Sequence, residues 1–185
     1  MSRFVCPHWM GYVLICPLRR LTQNPEKILA PFVASGMTIL EIGPGMGFFT
    51  LPLARMVGPN GKILCVDLQK KMIQSLQERA LKAGLSDRIT TRVCEAASLC
   101  VGDFEGKIDF ALAFAVVHEV PDAPRLFAEI VRALKPGAKC LIAEPKMHVS
   151  AQKFEQNITT ALEQGLRLLE RPRIRGSHAA LMNRP

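Results

Sequence analysis

The run Thr38-Ile39-Leu40-Glu41-Ile42-Gly43-Pro44-Gly45-Met46-Gly47-Phe48-Phe49-Thr50 constrains the fold more than any other part of the chain. Residues 38–42 predict a short buried strand, 43–47 a turn that brings bare backbone up to a ligand, and residues from 48 to about 57 a helix packed back on the sheet. Pro52 is tolerated there because a missing N–H costs little in a first helical turn. This is a nucleotide-binding strand-to-helix junction, and it points to an α/β fold. A dinucleotide site wants G-x-G-x-x-G with a small third residue where helix and strand approach most closely. Here the glycines fall as G-x-G-x-G, and Phe48 occupies the place of that third residue. The ring blocks the approach a pyrophosphate site uses, while Glu41 sets a carboxylate ahead of the first glycine, where a cationic ligand would be welcome.

The segments on either side extend the same pattern. Asn24-Pro25-Glu26 predicts a helix start, with Asn as cap, Pro in the first position and an acid near the positive end of the dipole. That helix is expected through Ile28, Leu29 and Phe32, before Gly36. Residues 62–68 predict the second strand, with Ile63, Leu64, Cys65 and Val66 apolar as a strand covered on both faces should be and Asp67 at its tip. An acid there can accept hydrogen bonds from ribose hydroxyls, or it can cap the next helix. Residues 69–83 carry a helical stripe of Met72, Ile73, Leu76, Ala80 and Ala83, closed by Gly84. Further strands are expected over 89–94, 107–114, 140–143, 167–174 and 178–182, with helices from Asp122 to Leu134 and from Ser150 to about Leu166. Gly176-Ser177 permits the last two strands to join as a hairpin.

At the glycine loop the chain resembles the class I S-adenosylmethionine (SAM) methyltransferases, whose first motif is an acidic residue followed by G-x-G-x-G. The resemblance runs from about Asn24 to the C-terminus. It implies a three-layer, doubly wound α/β fold with a seven-stranded, mostly parallel sheet ending in an antiparallel hairpin. It also implies SAM as cofactor and S-adenosyl-L-homocysteine as product. Glu41 would then lie near the cationic methionine end, Gly43, Gly45 and Gly47 against the adenosyl moiety, Asp67 on the ribose, and Leu68 on the adenine. Glu95, where the family more often has Asp, and Ala96 would meet the adenine edge. Phe114 and Ala115 would border the methionine part. The stretch Ala115-Val116-Val117-His118-Glu119-Val120-Pro121-Asp122 lacks the Asn/Asp-Pro-Pro-aromatic signature of enzymes that methylate nucleobase amines. It looks instead like the acceptor-site stretch of small-molecule methyltransferases of the quinone-precursor group.

Methyl transfer from SAM needs alignment more than a special nucleophile on the protein. A base is required only where the acceptor must shed a proton. His118 is the natural candidate near neutral pH, with Glu119 beside it and Glu144 and His148 as lesser choices. The reading is therefore a SAM-dependent methyltransferase with a small-molecule acceptor. A non-catalytic SAM-binding regulator and an RNA or protein methyltransferase stand as alternatives.

At 185 residues the chain accommodates one α/β domain, 24–185, preceded by an arm or lid over 1–23. That arm holds Phe4, Trp9 and Tyr12, and its apolar surface is where a homodimer would form. The net charge of +8 leaves a nucleic-acid partner open, although basic residues are scattered and aromatics make up only 6%. Six cysteines without C-x-x-C spacing suit free thiols in a cytoplasmic protein. Cys6, His8 and Cys16 are too loosely spaced for a metal site to be expected. Pro7, His8 and Pro17 interrupt the apolar N-terminus, so no membrane span is expected.

Overall fold

The computed structural model describes Gly11 and residues 15–185. Cys6, His8, Trp9 and Tyr12, read above as parts of the arm, lie outside the described residues. Strands β1 (Thr38–Ile42), β2 (Lys62–Asp67), β3 (Ile89–Val93), β4 (Ile108–Phe114), β5 (Leu134–Pro145), β6 (Arg167–Glu170) and β7 (Ser177–Asn183) form one sheet in the order β3-β2-β1-β4-β5-β7-β6. The first five are parallel, whereas β7 runs antiparallel to both β5 and β6. This is the doubly wound α/β fold expected, with the hairpin partner β7 inserted between β5 and β6.

Helices α1 (Pro25–Leu29), α2 (Thr50–Met56) and α3 (Lys70–Lys82) cover one face of the sheet, and α4 (Ala123–Ala133) and α5 (Ala151–Glu163) the other. The alternation of β1 serves both faces: Leu40 and Ile42 pack in the core under α4 and α5, and Ile39 in the core under α1 to α3. Helix α4 buries Leu126, Phe127, Ile130 and Ala133, a single stripe at helical spacing. Each large apolar side chain buried in this way contributes about 1.5–3 kcal/mol. Three helices begin on side-chain caps: Asn24 accepts from the Lys27 N–H at 3.0 Å, Asp122 from Arg125 at 3.0 Å, and Ser150 from Lys153 at 3.2 Å.

Several element ends differ from expectation for local reasons. Helix α2 starts at Thr50 rather than Phe48, because residues 46–49 are still turning out of the glycine loop and Gly47 holds φ +86°. Helix α1 gives way to turns after Leu29, with Phe32 N–H reaching back only to the Leu29 carbonyl. Strand β5 takes up the chain directly from α4, and its register to β4 shifts between Ile108 and Phe110, where Pro136 and Gly137 (φ +78°) interrupt regular pairing. Strand β6 stops at Glu170, two residues before Pro172, which has no N–H to donate. Among the described residues no helix is long and apolar enough to cross a membrane.

The strand order reverses between β1 and β4, which continue to β2 on one side and β5 on the other. Open α/β sheets bind ligands at the carboxyl ends of the strands at such a switch point.

Candidate active site

A cavity of about 650 Å³ opens at that switch point. Its volume lies within the usual range for small-molecule sites. Of the residues singled out from the sequence, Glu41, Gly43, Gly45, Asp67, Leu68, Glu95, Ala96, Phe114, Ala115, His118, Glu119 and His148 line the wall, whereas Gly47 and the fully buried Glu144 stand behind it.

The glycine loop is built for close approach. A Cβ on Gly43, at φ +65°, would stand 2.6 Å from Val116 Cγ2, and one on Gly47 would stand 2.5 Å from Leu76 Cδ1. At Gly45, φ +54°, an added Cβ would meet nothing within 4 Å. Gly43 and Gly47 are thus required by packing, whereas the bare backbone of Gly45 leaves space beside the cavity for a ligand.

Two carboxylates flank the loop. Glu41, at the floor, is 3% exposed and accepts from the Cys65 thiol at 3.7 Å. Burial pushes its carboxyl up to about 7, with Asp67 adding to the rise while Thr50 and Cys65 oppose it. Asp67, at the tip of β2, accepts from the Gln69 N–H at 2.8 Å and the Gly45 N–H at 3.2 Å. Burial raises its pKa as well. Two of the roughly four lone-pair positions of that carboxylate are used, so it retains capacity for a vicinal diol. Its contact is with the N–H of Gln69, the N-cap residue itself, so it tethers the start of α3 without capping the first turn of that helix. Leu68 is 44% exposed on the rim. Glu95 and Ala96 occupy an exposed turn closed by Glu95 and Ser98, and buried-side Glu129 braces that turn by accepting from the Leu99 N–H at 2.8 Å.

The opposite wall is aromatic and basic. Phe49 and Phe114 lie with ring centroids 4.3 Å apart, and Phe48 meets Phe49 edge-on at 5.2 Å. The Arg19 guanidinium sits 4.3 Å above the Phe48 ring, delivered by a short 3-10 helix, Pro17–Leu21. Gln23 accepts from Arg19 Nε at 2.9 Å, and burial pulls the guanidinium pKa down to about 10. Ile15, Arg19 and Gln23 therefore belong to the cavity wall. Composition gave no sign of this, since one arginine among 24 basic residues carries no signal until a fold places it.

At the end of β4 the chain turns sharply through Ala115, a non-glycine residue at φ +57°. Its N–H is fixed to the Ala143 carbonyl at 2.7 Å. The turn that follows, Val117–Glu119, carries His118 into the cavity. Glu144, at the end of β5 and 0% exposed, accepts from the Val116 N–H at 3.0 Å and the Val117 N–H at 2.9 Å through Oε1. Its Oε2 bonds His118 Nδ1. Glu119 Oε1 lies 3.9 Å from His118 Nε2, and the His148 ring stacks parallel to His118 at 6.0 Å. Burial works to lower the His118 pKa, but the hydrogen bond and charge of Glu144 outweigh it and hold the imidazole above its ordinary value. Sequence reasoning ranked Glu144 only as a lesser base. The signal it left was an acid terminating an apolar strand at the ligand-binding end of the sheet.

A doubly wound sheet of this order, with an acid before G-x-G-x-G and a second acid at the tip of β2, defines the class I SAM-dependent methyltransferase fold. The chain belongs to the family described as "Methyltransferase domain", which it matches over residues 34–171. That membership makes SAM the cofactor. The chain is 31% identical over 121 residues to an arsenite methyltransferase of Halobacterium salinarum, covering 65% of this chain and 30% of that protein. It is also 31% identical over 113 residues to a ubiquinone/menaquinone biosynthesis C-methyltransferase of Hahella chejuensis, covering 60% of this chain and 44% of that protein. It thus spans less than half the length of either relative. Among solved structures, a SAM-dependent methyltransferase from Aquifex aeolicus superposes with a TM-score of 0.88 at 24% identity, over 98% of this chain and 100% of that one, a likeness of fold.

Proposed function

We propose that the protein transfers a methyl group from SAM to a small-molecule acceptor, with His118 receiving the acceptor's proton. The observation that carries this reading is that one cavity joins the glycine-loop carboxylates to the His118 turn. When bound, SAM supplies a methyl group already activated by the adjacent sulfonium. Glu41 offers negative charge to the cationic methionine end, Asp67 takes the ribose hydroxyls, and the rim residues Leu68, Glu95 and Ala96 border the adenine. The guanidinium of Arg19, stacked on Phe48 and 5.9 Å from the Phe114 ring, is placed to pair with the methionine carboxylate. Phe114 and Val116 present apolar surface to the reacting centre and exclude water from it. His118 takes up a proton when the acceptor becomes a nucleophile, and Glu119 stands beside it to stabilise the resulting imidazolium. The segment from Ile15 to Gln23 serves as a lid over the site, part of an arm that ends where the domain begins.

The relatives' names support a small acceptor, since both arsenite and a quinone precursor are small molecules. The wall around His118, formed by Val116, Val120, Pro121 and Leu126, favours an acceptor with a substantial apolar part. Calorimetric titration with SAM, S-adenosylhomocysteine and NAD tests the cofactor. Micromolar-class binding of the first two, about 8 kcal/mol, should fall by about 2 kcal/mol in Asp67→Ala, and binding of NAD alone refutes the assignment. Transfer of radiolabelled methyl to a panel containing a hydroquinone, a catechol, a thiol and arsenite tests the acceptor class.

A nucleic-acid acceptor is a second reading, favoured by Lys146, Arg171, Arg173 and Arg175 around another hollow beside β7. It requires binding of a short RNA that weakens steeply between about 50 and about 200 mM salt.

A further inference from the structure

Glu144 has no exposed surface, and each of its oxygens is committed. Oε1 receives the Val116 and Val117 N–H groups at 3.0 and 2.9 Å, and Oε2 faces Nδ1 of His118. A carboxylate has no proton to give, so Nδ1 must be the donor in this contact. A neutral imidazole carries one N–H, which leaves Nε2 with its lone pair. We infer that Glu144 is the positioning residue of the site, holding the turn after β4 by two backbone amides and setting His118 in the tautomer whose Nε2 can accept a proton in the cavity. The inference rests on the reading of His118 as the base and deepens it, because orientation and tautomer of that base are governed from a neighbouring strand.

The arrangement makes an unusual demand of Glu144→Gln. The amide oxygen must stay on the Val116 and Val117 side, because the flipped amide would set its NH₂ against two backbone donors in a buried place. The NH₂ group then faces Nδ1 and donates to it. His118 is forced into the opposite tautomer, with the proton on Nε2 and no lone pair toward the cavity. The near-isosteric variant keeps the packing and inverts the base.

The test uses the full ¹⁵N-labelled chain bound to S-adenosylhomocysteine. Two-bond ¹H–¹⁵N correlation of the histidine rings reads protonation of each nitrogen, with His118 assigned by the signals lost in His118→Gln. In the unsubstituted protein above the His118 pKa, Nδ1 should be protonated and Nε2 bare. Glu144→Gln should reverse this and lower the titration midpoint of His118 by about 1 to 3 pH units, since an opposite charge at contact distance has been removed. Among the described residues, Glu119, 3.9 Å from Nε2, and the stacked His148 are the other titratable groups against the ring and are unchanged in the variant. S-adenosylhomocysteine affinity, read by calorimetry, should stay within about threefold, because Glu144 lies outside the residues assigned to the cofactor. An Nε2–H tautomer in the unsubstituted protein overturns the inference, as does a Glu144→Gln spectrum with Nδ1–H retained and the midpoint unmoved. If Glu144→Gln does not fold, Glu144→Asp is read in the same way: it withdraws the charge by one methylene and should populate both tautomers, and a single unchanged tautomer counts against the inference. Neither readout involves methyl transfer, so a failure of the base assignment in an activity assay is distinguishable from a failure here.

Discussion

Binding of the cofactor should be linked to a proton on Glu41. Its carboxyl is pushed by burial from an ordinary 4.5 to about 7, so the free protein holds a mostly neutral acid at the floor of the cavity below about pH 7. The charged methionine end of SAM calls for a carboxylate there, and binding below about pH 7 must release a proton. With a pKa of about 7, roughly one-eleventh of the molecules are ionised at about pH 6 and roughly three quarters at about pH 7.5. Affinity should therefore be about eightfold weaker at the lower pH, a difference of about 1.2 kcal/mol. Calorimetry in buffers of different ionisation enthalpy counts the proton directly. The same shift has a stability consequence of opposite slope. Because the folded value exceeds the unfolded one, Glu41 stabilises the ligand-free protein below about pH 4.5, and this contribution is lost as the pH rises through about 7. The shift from 4.5 to about 7 corresponds to about 3 kcal/mol. Glu41→Gln should flatten both dependences. Affinity that is constant within about twofold from pH 6 to 7.5, with no proton released, would refute the assignment of Glu41 to the cationic end.

Other perturbations act on single parts of the site. His118→Ala should lower turnover by about 10² to 10⁴-fold while leaving SAM affinity within about threefold, and unchanged turnover with the true acceptor removes His118 from the chemistry. In the native protein activity should rise with pH through the raised His118 pKa, because only the neutral ring accepts a proton. Gly43→Ala sets a methyl group 2.6 Å from Val116 in a left-handed backbone conformation, and should cost about 1–2 kcal/mol of thermal stability together with most SAM binding. Arg19→Ala should weaken SAM by about 1.5–3 kcal/mol, and much less of that loss should appear with a cofactor analogue lacking the carboxylate. Equal losses for both ligands would return Arg19 to a packing role over Phe48.

The strand-to-helix junction and the class of cofactor were legible in the chain because the motif that carries them is local. Glu41, Gly43, Gly45 and Gly47 lie within one turn of backbone, and a sharp turn between a buried strand and a helix needs those residue types in that order. Asp67 was legible for a similar reason, since an acid ending an apolar strand has few places to go in a parallel sheet. Helix caps at Asn24, Asp122 and Ser150 also act within a few residues. What the sequence left open is nonlocal. Arg19 reaches the Phe48 ring only because the segment before α1 folds back over the loop. Glu144 meets His118 only because β5 pairs with β4 in a register that sets Ala143 opposite Phe114. A side chain's neighbours across a sheet depend on strand order and register, neither of which is encoded in spacing along the chain. The sequence alone determined the glycine-loop junction and the α/β fold built on it, while tertiary structure decided that Nδ1 of His118 meets Glu144, a contact that only the pairing of β4 with β5 creates.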